Sequence, residues 1–156
     1  MLLHRKLRRR GAVLIESALV YPVVFMIMLG IILLGIAVFR FQQVAYISRE
    51  ASRWASVHGA LYASDTGNSA ATAGDVYTKA ILPNAAGMVA ENITYSVTWN
   101  TSNQQTHTTT RVDPTTGQTQ VVPVTNIVSV TVTYTWNTGL FGTIPVSSTS
   151  TVPMSY

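Results

Sequence analysis

Few side chains in this sequence could do chemistry, and one of them is out of place. Glu16 is a carboxylate near the start of a run that is otherwise apolar or uncharged from Ala12 to Phe39. An ionisable group at such a position is costly unless paired, so a functional partner is the first expectation for it. The remaining titratable groups do not gather into a site. His4, His58 and His107 lack the clustered spacing that holds a metal ion. Asp65, Asp75 and Asp113 fall at loop or cap positions, where turn chemistry accounts for them. There is no G-x-S-x-G, no P-loop and no G-x-G-x-x-G after a strand. The absence of cysteine excludes disulfides, zinc–thiolate sites and thiol catalysis. Trp99 and Trp136 could stack on a sugar, but both continue the apolar face of a strand, so burial is expected for them. The chain does not read as an enzyme, and no cofactor, metal or small-molecule substrate is expected.

The element that positions Glu16 is the apolar run itself. Ser17 to Phe39 carries no charge. As a helix it spans about 34 Å at roughly 1.5 Å per residue, enough to cross a hydrocarbon core of about 30 Å. Before it stand Arg5, Lys6, Arg8, Arg9 and Arg10, half of the chain's 10 Lys and Arg. That imbalance places the N-terminus in the cytoplasm and everything after Arg40 across the membrane. The formal net charge of +4 belongs to this leader. Beyond Gly11, five Lys and Arg stand against six Asp and Glu, a balance of −1, so nucleic acid is excluded as a partner.

Past the membrane, Phe41, Val44, Ile47, Ala51 and Trp54 recur at spacings of three and four, which predicts one helix from about residue 12 to 57, apolar all round and then amphipathic. Pro22 removes one of its hydrogen bonds, and Gly59 is the expected stop. Ser64 to Gly74 reads as a polar loop, and Val76 to about Ala90 as a second helix capped by Asp75 and interrupted at Pro83 and Gly87. From Asn92 the period becomes two. Ile93, Tyr95, Val97 and Trp99 form one face of a strand, and Val128, Val130, Val132, Tyr134 and Trp136 one face of a stronger one. Two short strands flank a turn at Asp113–Gly117, and residues 143–152 supply a weaker last strand. The fold class is therefore α+β: a long N-terminal transmembrane and amphipathic helix packed on a small antiparallel sheet of about four strands.

A basic leader, a glycine, a small residue and a membrane run with Glu at its fifth position resemble the class III signal of type IV pilin-like proteins. The string Arg10-Gly-Ala-Val-Leu-Ile-Glu-Ser-Ala-Leu-Val-Tyr-Pro22, with Ser48-Arg-Glu-Ala-Ser-Arg-Trp-Ala55 beyond the membrane, is most similar to the TadE-like family of minor pilins or pseudopilins of tight-adherence pili. The resemblance covers residues 8–58 and gives the chain a pilin-like plan. It implies a basic leader over residues 1–11, cleaved by a prepilin peptidase between Gly11 and Ala12. A long helix over 12–58, transmembrane at about 16–39, and an exported domain over 59–156 follow. It implies a bacterial cytoplasmic membrane location, single-pass, with the bilayer, other pilin and pseudopilin subunits and the pilus assembly platform as partners.

Glycine before the cut lets a protease approach the backbone unobstructed. Cleavage creates an α-amine on Ala12, and Glu16 lies about one helical turn deeper, where it can pair with that amine or a neighbour's and set register between subunits. The competing reading is an unprocessed, membrane-anchored module whose exported domain binds glycan or a cell-wall component.

Overall fold

The computed structural model describes residues 3–102, 105–112, 117–139 and 142–155. The chain divides into two units, Met1–Phe39 and Arg40–Tyr156. Helix α1, Leu3–Val57, begins in the first and ends in the second. In the first unit, apolar side chains are exposed all round the helix from Val13 to Phe39, the pattern of a segment meant for lipid rather than for a protein core. Pro22 cannot donate to the carbonyl of Ala18, yet the helix continues through it. The side chains of residues 3–10 and of Ala12 lie outside the described set.

The second unit is an α+β domain. Strand β1 is Ile93–Trp99, β2 Gln105–Val112, β3 Thr119–Val124, β4 Ile127–Asn137 and β5 Thr143–Pro153. The order β1-β4-β5 makes one three-stranded sheet, antiparallel throughout, with Ile93 opposite Tyr134 and Tyr134 opposite Val146. Strands β2 and β3 pair only with each other. The expected single sheet of about four strands is thus corrected to three strands plus a separate two-stranded ribbon. The intervening turn expected at 113–117 lies outside the described residues except for Gly117, which has a φ of +67°.

The amphipathic end of α1 lies on the inner face of the three-stranded sheet. Val44, Ile47, Ala51 and Ala55 are buried with Val128, Val130, Val132 and Tyr134 of β4. Val76, Ala80, Ile81 and Ala85 close the core from the segment between α1 and β1. Phe41, expected in the helix stripe, is instead 55% exposed, and Trp54 is half-buried against the core. Val44, Ile47 and Ala51 hold the expected stripe, and serines widen it: Ser48, Ser52 and Ser56 are buried at every fourth residue. Each hydroxyl donates to the carbonyl three residues back, at 3.1, 2.9 and 2.8 Å. Ser48 and Ser52 also meet Ser148 and Ser150 of β5, oxygen to oxygen at 3.1 and 2.8 Å. Small side chains let sheet and helix approach closely, and the hydroxyls satisfy one another where water is excluded.

Between α1 and β1 the structure is more helical than its composition suggests. Helix α2, Ala60–Thr66, occupies the start of the expected loop and ends at Gly67, which takes the left-handed conformation at φ +73° that glycine adopts without penalty. Helix α3, Ala73–Val76, is capped by Thr72 rather than by Asp75. Asp75 is its third residue and reaches back to the Thr72 N–H at 3.0 Å, while Thr72 Oγ1 accepts from the Asp75 N–H at 3.2 Å, a reciprocal capping box. The chain then widens into a π-turn, Tyr77–Ile81, and tightens into a 3-10 turn, Leu82–Asn84, at Pro83.

Candidate functional site

Gly11, Ala12 and Glu16 all lie on α1 within the first unit. Gly11 is exposed, and a Cβ placed there would meet nothing within 4 Å. Glycine in a helix interior costs about 1 kcal/mol relative to alanine. No packing within the described residues requires that cost. Four residues separate Ala12 from Glu16, so their Cα atoms stand about 6 Å apart along one face of the helix. The Glu16 side chain is exposed and makes no ion pair or hydrogen bond among the described residues. Its neighbour Ser17 turns its hydroxyl back onto the helix, donating to the Leu14 carbonyl at 3.0 Å. The carboxylate is therefore available to a group the described residues do not supply.

The helix that carries this constellation is long and apolar enough to cross a membrane, with a mean hydropathy of 2.8 over its most apolar window. Its apolar surface ends at Arg40. That guanidinium donates to Gln43 Oε1 at 3.0 Å and lies 5.8 Å from the centre of the Tyr134 ring, a cation–π distance. Gln43 in turn donates to the Ala86 carbonyl at 2.6 Å. The first charged residue after the apolar run is thus fixed within its own domain.

The leader charges Arg5, Lys6, Arg8, Arg9 and Arg10 follow one another on the first turns of α1, with side chains outside the described set. No group of three or more His, Asp or Glu able to hold a metal gathers among the described residues. Trp99 and Trp136 are half-buried and packed against the core, as expected for strand residues. A second cluster escaped the sequence reading: Trp54 stacks on His58, and Tyr62 lies tilted against His58, with ring centres 4.0 and 4.8 Å apart. Their spacing of four was a visible signal, masked by the helix break expected, and found, between α1 and α2.

Residues 11–53 match a protein-family model described as TadE-like protein. The match begins at Gly11 and runs past Arg40 into the amphipathic end of α1. No curated protein and no solved structure matches the chain.

Proposed function

We propose, from the TadE-like character of residues 11–53, that this chain is a minor pilin or pseudopilin serving assembly of a tight-adherence pilus. The observation that carries the reading is the coincidence of that match with an apolar helix holding a glycine that no packing among the described residues needs and, five residues on, a carboxylate without a partner among them. In this reading the precursor inserts in the bacterial cytoplasmic membrane with its arginine leader inside, because five clustered cations resist translocation. A prepilin peptidase cuts between Gly11 and Ala12. Freed of its leader, the helix packs against other pilin or pseudopilin helices on the assembly platform, with Glu16 meeting an α-amine and fixing axial register. The exported domain then rides on the amphipathic end of α1. The chain's contribution is positional, with no reaction of its own.

The N-terminus tests this directly. Protein recovered from the native host should begin at Ala12 by mass spectrometry. Gly11→Asp should accumulate as the uncut precursor, with processing slowed at least about a hundredfold, since a charged side chain at the scissile bond forfeits roughly 3 kcal/mol of transition-state fit. An intact leader on the wild-type protein would instead support an unprocessed membrane anchor, and wild-type cleavage of Gly11→Asp would misplace the cut.

A further inference from the structure

Beside the aromatic succession lies a cleft of about 460 Å³ that belongs to neither the helix–sheet core nor the pilin constellation. It sits inside the second unit, between the end of α1, helix α2 and the start of α3. Its volume falls in the range of roughly 300–1,000 Å³ typical of small-ligand sites. Trp54, His58 and Tyr62 line one part, and Asn68, Asp75 and Lys79 another.

The aromatic part is already organised. The Trp54 and His58 rings stack 13° from parallel. His58 Nδ1 lies 2.8 Å from the Trp54 carbonyl, which can only accept, so Nδ1 carries a hydrogen and donates it there. Tyr62 is tilted 58° against His58, and its hydroxyl accepts from Asn68 Nδ2 at 3.4 Å. The polar part is organised too. Asp75 Oδ2 receives both the Thr72 N–H, at 3.0 Å, and the Thr72 hydroxyl, at 2.7 Å. The other oxygen, Oδ1, faces Lys79 Nζ at 3.6 Å, too far for a hydrogen bond but close enough to neutralise it. Lys79 Nζ is also 5.8 Å from the centre of the Trp54 ring.

Three properties of this lining select a ligand. The fixed charges of Asp75 and Lys79 cancel, so an ion gains no net attraction. An anchored acceptor stands beside a donor with free N–H groups, the arrangement that two neighbouring hydroxyls satisfy by giving one hydrogen bond and taking another. The aromatic side chains and Ala71 in the lining offer apolar contact to C–H groups. We propose that the cleft binds a neutral pyranose sugar unit, as at the end of a glycan, with Asp75 accepting from one hydroxyl and Lys79 donating to its neighbour. This site is independent of Gly11 and Glu16, and its presence does not depend on pilus assembly.

The test uses the full chain in lauryldimethylamine-oxide micelles, since glucoside and maltoside detergents would themselves compete. The Trp54 indole N–H resonance, assigned through Trp54→Phe, is followed while methyl glucoside, methyl galactoside, methyl mannoside and N-acetylglucosamine are each added to about 50 mM, well above the millimolar Kd expected of a single sugar ring. At least one should shift the resonance saturably. Lys79→Met, an exposed change whose unaltered remaining spectrum certifies the fold, should weaken that sugar at least about tenfold. The proposal is overturned if none of the four moves the Trp54 signal, or if Lys79→Met binds as tightly as the wild type. It is equally overturned if glucuronate or inorganic phosphate binds more tightly than every neutral sugar.

Discussion

Glu16→Gln and Glu16→Val should each reach the membrane at wild-type level and orientation, yet support no surface pili. Insertion should not suffer, because removing an ionisable group from the edge of an apolar run lowers the cost of burying it by up to about 3 kcal/mol. Valine should insert most readily of the three. Assembly should fail for the opposite reason. The partner proposed for Glu16 is an α-amine buried in a contact between helices, and leaving such a charge unpaired costs about 3–5 kcal/mol. A loss of that size weakens each subunit contact at least about a hundredfold. Glutamine keeps the shape and some hydrogen bonding but cannot neutralise the amine, so its failure separates charge pairing from packing. The measurement is complementation of a null strain, with membrane abundance and surface pili scored separately. Normal piliation by both variants at wild-type abundance would remove Glu16 from the mechanism.

The second large effect concerns folding. Ser52→Leu should leave the second unit unfolded or nearly so. Ser52 is fully buried, and its oxygen lies 2.8 Å from that of Ser150 while it donates to Arg49 at 2.9 Å. A leucine there has no room and strands the Ser150 hydroxyl. Overpacking at about 1–3 kcal/mol and an unsatisfied buried hydroxyl at about 1–3 kcal/mol together approach the whole stability of a small domain, about 5–15 kcal/mol. Ser52→Ala tests the hydroxyl alone and should cost about 1 kcal/mol, lowering Tm by roughly 4 °C or more. Thermal unfolding of the full chain in micelles, followed by near-ultraviolet circular dichroism, distinguishes the two. A leucine variant that melts within a few degrees of the wild type would mean that helix and sheet are not closely packed at this seam.

The same seam explains what the sequence could and could not reveal. Strand β4 was plain because Val128, Val130, Val132 and Tyr134 alternate with hydroxyl residues, and one buried face imposes that period. Strand β5 is just as long, but two of its inward positions are Ser148 and Ser150. Their partners are serines on α1, so apolar alternation, the only local signal for a strand, is missing there. The helix stripe was read correctly at Val44, Ile47 and Ala51 but incompletely, for the matching reason: serine counts as polar in a pattern, and Phe41 as core. Helix α2 was hidden by small polar residues whose helicity depends on the Gly67 cap. The roles proposed for Gly11 and Glu16, by contrast, rest on chain spacing alone. The Trp54–Lys79 cleft is assembled by the fold of the intervening loop, and no local pattern announces it.

The three-stranded sheet has one more property, and it concerns the surrounding solution. Strands β1, β4 and β5 contain no Asp, Glu, Lys, Arg or His, and their outer face is tied by hydroxyl pairs: Ser129 with Thr151, Thr131 with Thr149 and Thr133 with Ser147. Such pairs neither titrate in ordinary conditions nor weaken as salt screens charge. Outside the sheet, Asp75 has its pKa held below the ordinary 3.8, first by the Thr72 hydroxyl and then by the Thr72 N–H. A lowered carboxylate pKa favours the folded state above the ordinary value and ceases to do so as pH falls through the lowered one. Its influence is therefore constant from mild acid upward and vanishes only in strong acid. With no cysteine in the chain, oxidants and reductants have no bond to make or break. The Tm should accordingly move by less than about 3 °C between pH 5 and 9, or between about 0.05 and 0.5 M salt, a shift within the 1 kcal/mol scale. A steep dependence on either would reveal a charged contact that the sheet does not contain. A domain with an apolar core and a sheet tied by hydroxyl pairs can thus meet changes of acidity and salt without adjusting its fold.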